Sequence, residues 1–122
     1  MAKTILIVDD SATLRQVVSI ALKGAGYDVI EGCDGKDALG KMTGQKIHLI
    51  ISDVNMPNMD GFTFVTETKK LPAYKFTPII MLTTEAGEDK KAAGQAAGAK
   101  AWVVKPFKPD QMLTAVSKLI LP

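Results

Sequence analysis

The sequence predicts an α/β domain in which a five-stranded parallel sheet is covered by helices on both faces. Two observations predict it. First, three short apolar runs, rich in β-branched residues, each stop at a charged group. Ile5-Leu6-Ile7-Val8 runs into Asp9-Asp10, Leu49-Ile50-Ile51-Ser52 into Asp53, and Trp102-Val103-Val104 into Lys105-Pro106. Runs of this length and composition read as buried parallel strands. Second, the segments between them carry apolar residues at helical spacing, so strand and helix alternate along the chain, as a parallel sheet with crossover helices requires.

Each element has its own signal. Thr4–Asp9 is the first strand. Ser11 or Asp10 can cap a helix whose Leu14, Val17, Val18, Ala21 and Leu22 form one stripe, and Gly24-Ala25-Gly26 ends it. Tyr27-Asp28-Val29-Ile30-Glu31 alternates polar and apolar, as a half-exposed edge strand does. Asp34-Gly35 leads into a weak helix holding Ala38, Leu39 and Met42, with Gly44 as its stop. His48–Asp53 is the third strand, and the loop from Val54 to Gly61 leads to a helix over Phe62–Lys70. Pro78-Ile79-Ile80-Met81-Leu82 is the fourth strand, its proline at the start, where a missing N–H does least harm. An Ala-rich helix is expected over Gly87–Ala97, the fifth strand over Ala101–Val104, and a last helix opened by Pro109 with Met112, Leu113, Val116, Leu119 and Ile120 inward. Right-handed crossovers leave a few strand orders. The flavodoxin-like order 2-1-3-4-5 fits the length and puts the most polar strand at an edge.

At 122 residues the chain is expected to form one domain, residues 1–122, with no effector domain. A charged fraction of 23% and a net charge of +2, without a basic tract, give no reason to expect a nucleic-acid partner. No apolar stretch is long enough to span a bilayer, and the N-terminus lacks the marks of a signal peptide, so no membrane partner is expected. The single Cys33 excludes an internal disulfide, suits a reducing cytoplasm, and is expected to be a partly buried small apolar residue.

In open α/β sheets the ligand site lies beyond the carboxyl ends of the strands, where the strand order reverses. Here that point lies between the first and third strands, which deliver Asp9, Asp10 and Asp53. Adjacent strands are about 4.8 Å apart, so one ion can bridge Asp10 and Asp53. Carboxylates this close resist ionising together, and a divalent cation resolves that. An oxygen-only donor set favours Mg²⁺ or Mn²⁺. His48 starts its strand, at the far end from the acids, and reads as structural. Lys105 lies two strand spacings from Asp53, roughly 10 Å, a gap its flexible stem can largely close. Thr83, from the strand between, offers a hydroxyl. A metal, an ammonium and a hydroxyl around a carboxylate make a receptor for a phosphoryl group, and the carboxylate itself can be the nucleophile.

Val8-Asp9-Asp10-Ser11, the loop Ser52-Asp53-Val54-Asn55-Met56-Pro57-Asn58-Met59-Asp60-Gly61, Leu82-Thr83-Thr84-Glu85 and Val104-Lys105-Pro106-Phe107 resemble the signature set of response-regulator receiver domains, in the same order and over nearly the whole chain. Within that family the loop after Asp53 looks most like that of the stand-alone chemotaxis regulators. The resemblance implies that Asp53 is the phosphoacceptor. It implies that Asp10, Asp53 and the backbone carbonyl of Asn55 ligate Mg²⁺, with Asp9 acting through water. Lys105 would pair with the phosphoryl group, aimed by a cis bond to Pro106. Thr83 would move toward the phosphoryl oxygens. Trp102 falls at the position of the family's switch aromatic, commonly Tyr or Phe. Asn55 and Glu85 fall at positions that modulate loss of the phosphoryl group, and imply a fairly short-lived phosphorylated state. The implied donor is a sensor histidine kinase of chemotaxis type. The implied output is protein–protein contact by a cytoplasmic monomer, through the Ala-rich helix, the fifth strand and the last helix, with a flagellar motor switch protein as one target. The protein would be a signalling phosphoacceptor with self-catalysed phosphorylation and dephosphorylation, not a turnover enzyme.

Other readings of the same residues are an Mg²⁺-dependent phosphohydrolase with an Asp nucleophile, a phosphorelay intermediate or phosphate sink, a flavodoxin, and an interaction domain with an inactive site. The hydrolase would want a second acid two residues after Asp53, where Asn55 stands. A flavin phosphate would meet Asp9-Asp10 where it needs donors. An inactive domain would not keep every site residue.

Overall fold

The structure is a computed structural model that describes residues 3–42, 45–54, 56, 58–83, 98–105 and 108–120. Five parallel strands, β1 (Thr4–Val8), β2 (Asp28–Gly32), β3 (Leu49–Asp53), β4 (Ile79–Thr83) and β5 (Ala101–Val104), lie in the order β2-β1-β3-β4-β5. The expected order is therefore the observed one. The described helices are α1 (Ala12–Gly24), α2 (Gly35–Lys41), α3 (Gly61–Lys69) and α4 (Pro109–Leu119). The helix expected over Gly87–Ala97 lies outside the described residues.

The period of two along each strand sorts the core into two layers. Ile5, Ile7, Leu49, Ile51, Ile80 and Leu82 face α1 and α4, meeting Val18, Leu22, Met112 and Val116. Leu6, Val8, Ile50, Ile79 and Met81 face the other way, toward Ala38 of α2 and Phe64 and Val65 of α3. β1, β3 and β4 are buried along almost their whole length, so they read as continuous apolar runs. β2, at the edge, is half exposed until Gly32.

Element ends follow local chemistry. Ser11, not Asp10, caps α1, its hydroxyl accepting from the Leu14 N–H at 3.2 Å. Gly26, with φ 97°, turns the chain away after the helix in a conformation that suits glycine. Asp34 and Asp60 cap α2 and α3 through the N–H groups of Asp37 and Thr63, each at 2.8 Å. The strand ends shift by one residue from the sequence expectation: β1 stops at Val8, β2 spans Asp28–Gly32, β3 starts at Leu49, and β4 runs to Thr83. A 3₁₀ turn, Pro72–Tyr74, was not expected; Tyr74 enters the core and its hydroxyl donates to the Gln45 carbonyl at 2.6 Å. His48 is structural, accepting the Thr4 N–H at Nδ1 (3.0 Å). Burial first, then Lys3 and Lys46, hold its pKa below the ordinary value.

Cys33 corrects one expectation. It is exposed, because it follows the last residue of β2 and its backbone is held in the turn by its N–H bond to Asp37 Oδ2 (2.9 Å).

The two-layer core makes a simple test. Ile51→Val removes one methylene from a fully buried site and should lower stability by about 1 kcal/mol in urea unfolding. Ile20→Val, on the solvent side of α1 at 65% exposure, should change it by less than about 0.5 kcal/mol.

Candidate functional site

The carboxyl ends of β1 and β3 bring three carboxylates together. Oxygens of Asp9, Asp10 and Asp53 lie within 4.8 Å of one another. Asp9 and Asp53 are buried and Asp10 is exposed, so the cluster has two walls inside the fold and one toward solvent. Asp9 is fixed on every side. Its Oδ1 accepts the Ser11 N–H at 2.8 Å, its Oδ2 accepts from Lys105 Nζ at 3.0 Å, and its backbone carbonyl accepts from the Arg15 guanidinium.

Lys105 follows the end of β5, and with β4 lying between β5 and β3 its side chain spans that strand to reach the acids. Its N–H donates to the Thr83 carbonyl at 2.6 Å, which sets the start of the side chain, and its Nζ lies 3.3 Å from Asp53 Oδ1 as well as 3.0 Å from Asp9 Oδ2. The flexible stem thus closes the two-strand gap. Burial alone would lower the Lys105 pKa, but the hydrogen bond and charge of Asp9, and then Asp53, outweigh it and raise it. Asp53 goes up as well. Burial is the main cause and the Asp9 charge adds to it, against the opposing pull of Lys105. Among the described residues, three carboxylates thus share one ammonium.

The loop after Asp53 is built to tight tolerances. The Gly61 N–H donates to the Val54 carbonyl at 2.8 Å, and a Cβ at Gly61 would fall 2.2 Å from the Asp53 carbonyl and 2.9 Å from the Val54 Cα. Only glycine lets α3 start this close to the end of β3. Asn58 holds a left-handed φ of 67° and donates from Nδ2 to Asp34 Oδ2 at 2.8 Å, tying this loop to the start of α2.

Thr83 ends β4, is 1% exposed, and shares a face of the sheet with Trp102 by the strand alternation. Trp102 packs against the α2–α3 layer, its ring stacked on Phe62 at 6.3 Å between centroids and 21° between planes. Among the described residues its buried indole N–H has no hydrogen-bond partner. The structure therefore brings Asp9, Asp10, Asp53 and Lys105 to one point, with Thr83 at the end of the neighbouring strand. Asn55, Glu85 and Pro106 lie outside the described residues. Arg15 was not singled out in the sequence. Its signal was its place one turn after the Ser11 cap, which returns its side chain to the Asp9 carbonyl and to Glu31, 3.3 Å from Arg15 Nε.

The residues fit a hard divalent cation. The donors are all oxygen, and the burial that raises Asp53, with the Asp9 charge added to it, is a cost to the ionised carboxylate that a cation would relieve.

Comparison with known proteins places this geometry. The model of the response regulator receiver domain matches residues 5–117. The chain belongs to that family. It is 37% identical over 112 residues to Protein PilG of Pseudomonas aeruginosa, covering 92% of this chain and 83% of that one. Among solved structures it is similar to the chemotaxis protein CheY4 of Vibrio cholerae, with a TM-score of 0.95 and 47% identity over 98% of this chain and 99% of the other. It is also similar to the receiver domain of a sensor histidine kinase from Pseudomonas aeruginosa that has a magnesium ion coordinated in its active-site cleft, with a TM-score of 0.89, 27% identity, and 98% of each chain covered. The chain spans about half the length of two further curated relatives, both named as transcriptional regulators. As a receiver domain the protein is a component of two-component signalling. Among the described residues no helix is long and apolar enough to cross a membrane.

The raised Asp53 pKa gives a signed prediction for the protein without metal. The folded state holds the Asp53 proton more tightly than the unfolded chain, so the ionised carboxylate costs stability above the folded pKa. That cost disappears as pH falls through the folded pKa and then below 3.8. In EDTA, Asp53→Asn should therefore melt higher than the wild type at pH 7, and the difference should shrink as the pH approaches 4, followed by circular dichroism.

Proposed function

We propose that this receiver is a phosphorylation-activated switch of a chemotaxis-type two-component system in the cytoplasm, accepting a phosphoryl group on Asp53 from a histidine kinase. The observation that carries the reading is the Lys105 ammonium poised between Asp9, at 3.0 Å, and Asp53, at 3.3 Å, inside a cluster still short of positive charge. A phosphoryl group on Asp53 exchanges one buried carboxylate charge for several anionic oxygens, and the ammonium already stands where they would emerge. The likeness to CheY4 and to PilG supports the chemotaxis assignment.

In the reaction, an Asp53 carboxylate oxygen bonds to phosphorus while the bond from phosphorus to the donor's imidazole nitrogen breaks. The imidazole leaves with the bonding pair and takes a proton from solvent. Phosphoryl transfer of this kind asks for positioning and charge neutralisation more than for covalent help. Mg²⁺ would be held by Asp10, Asp53 and the Asn55 carbonyl, with Asp9 through water, and would supply that neutralisation when bound. Asp9 holds the Lys105 ammonium beside Asp53 before transfer. Gly61 and the Val54 turn fix the backbone from which Asp53 projects. Thr83 and Trp102, on one face of the sheet, are the parts that respond: the Thr83 hydroxyl turns to the phosphoryl oxygens, and Trp102 repacks against Phe62. Asn55 and Glu85 set a short lifetime by acting on the attacking water. The signal leaves the protein by contact with another protein, of which a flagellar motor switch protein is one candidate.

Trp102 is the only tryptophan, so its fluorescence reports on the site directly. Adding Mg²⁺ should give one saturable change and adding beryllofluoride a second. Asp53→Asn should abolish the second. A beryllofluoride response that persists in Asp53→Asn would place the phosphoacceptor elsewhere.

A further inference from the structure

Parallel strands share an amino edge as well as a carboxyl edge, and here the amino edge is basic. Lys3 and Lys100 immediately precede β1 and β5, and Lys46 stands shortly before β3. Helices covering a parallel sheet run back to that same edge, and α1, α3 and α4 carry Lys23, Lys69 and Lys118 in their last turns. Among the described residues the carboxylates at this edge are Asp28 and Glu67, and Glu67 is already paired with Lys70 at 3.2 Å. The titrating groups there feel the excess. After burial, Lys3 and Lys46 push the His48 pKa down, and Lys100 does the same to Lys69.

The same edge carries an exposed apolar spot on the connection between α3 and β4. Tyr74 anchors the connection in the core, and Phe76, two residues on, is 88% exposed, with Leu71 also on the surface. The Lys75 ammonium lies 5.7 Å from the Phe76 ring centroid. The Lys69 stem packs within 3.2 Å of where a Cβ at Gly98 would sit, and its Nζ donates to the Thr77 carbonyl at 2.5 Å. An exposed aromatic side chain with an ammonium beside it and further lysines along the same edge has the anatomy of an interface, with an anchor at the centre and a polar rim.

We infer that this patch docks an acidic segment of a partner polypeptide, with an apolar side chain of that segment seated on Phe76, its carboxylates on Lys69, Lys75 and Lys100, and one more taking the place of Glu67 on Lys70. An extended segment of about six residues is roughly 20 Å long, the width of the sheet edge, and so reaches lysines from several elements. A lipid surface fits less well. One phenyl ring offers less apolar area than a single acyl chain, which by itself gives only marginal membrane binding. The patch lies at the edge opposite Asp9, Asp10 and Asp53, so docking there leaves the acid cluster open. The inference stands apart from the phosphoacceptor reading and uses none of its residues.

The probe is a fluorescein-labelled oligoglutamate peptide with one central leucine, followed by anisotropy at about 0.15 M salt, where charges are screened beyond about 8 Å. Lys70→Glu with Lys75→Glu should weaken binding about tenfold or more, and Phe76→Ser severalfold. Lys36→Glu with Lys108→Glu makes the same change in net charge away from the patch and should leave affinity within about twofold. Equal losses from the two pairs would mean that net charge alone attracts the peptide, and would overturn the inference. So would no binding by the wild type, or cosedimentation with phosphatidylglycerol vesicles in place of peptide binding.

Discussion

Among the described residues, one ammonium stands among three carboxylates at the carboxyl edge of the sheet, and much of the fold is arranged around that imbalance. Lys105 is placed by its backbone bond to Thr83 and drawn in by Asp9 and Asp53. Asp9 in turn is fixed by the Ser11 N–H and, through its carbonyl, by Arg15. The apolar strands beneath make the edge rigid, and rigidity keeps like charges close together at a cost that a flexible surface would relieve by moving them apart. A cluster held in this state responds strongly to any added charge, whether a cation or a phosphoryl group.

The fold was legible in the sequence because two periods alternate along the chain and because each buried strand ends in a residue that does not belong in a core. β1, β3 and β5 announce their carboxyl ends with Asp9, Asp53 and Lys105. Boundaries slipped by a residue where hydrogen bonding, not hydropathy, decides them. Thr83 joins β4 because its carbonyl pairs with Lys105, and Gly32 joins β2 because its carbonyl accepts the Asp9 N–H at 3.1 Å. The 3₁₀ turn at Pro72–Tyr74 is not legible in the sequence because its signal, a proline before an anchoring tyrosine, is indistinguishable from that of an ordinary loop.

The site was legible as a set of residue types delivered to one edge, and the distances agree with that set for Asp9, Asp10, Asp53 and Lys105. What the sequence concealed is contact across elements. Arg15 reaching the Asp9 carbonyl, Asn58 reaching Asp34, and the closeness of Gly61 to Asp53 depend on how helices sit on the sheet. Cys33 departs from the sequence expectation for the same reason, since the turn after β2 leaves it outside the core. The basic amino edge is another such case: its lysines are scattered along the chain and become neighbours only when the strands align.

The most direct measurement is chemical mapping of the acyl phosphate. The protein is incubated with acetyl phosphate with and without Mg²⁺, reduced with borohydride, and sequenced by tandem mass spectrometry. A reduced residue at position 53 alone, formed with Mg²⁺ and absent in EDTA, is the expected result. Label at Asp9 or Asp10, or label at Asp53 that forms equally without the metal, would contradict the assignment of Asp53 as a phosphoacceptor that depends on the acid cluster and its cation.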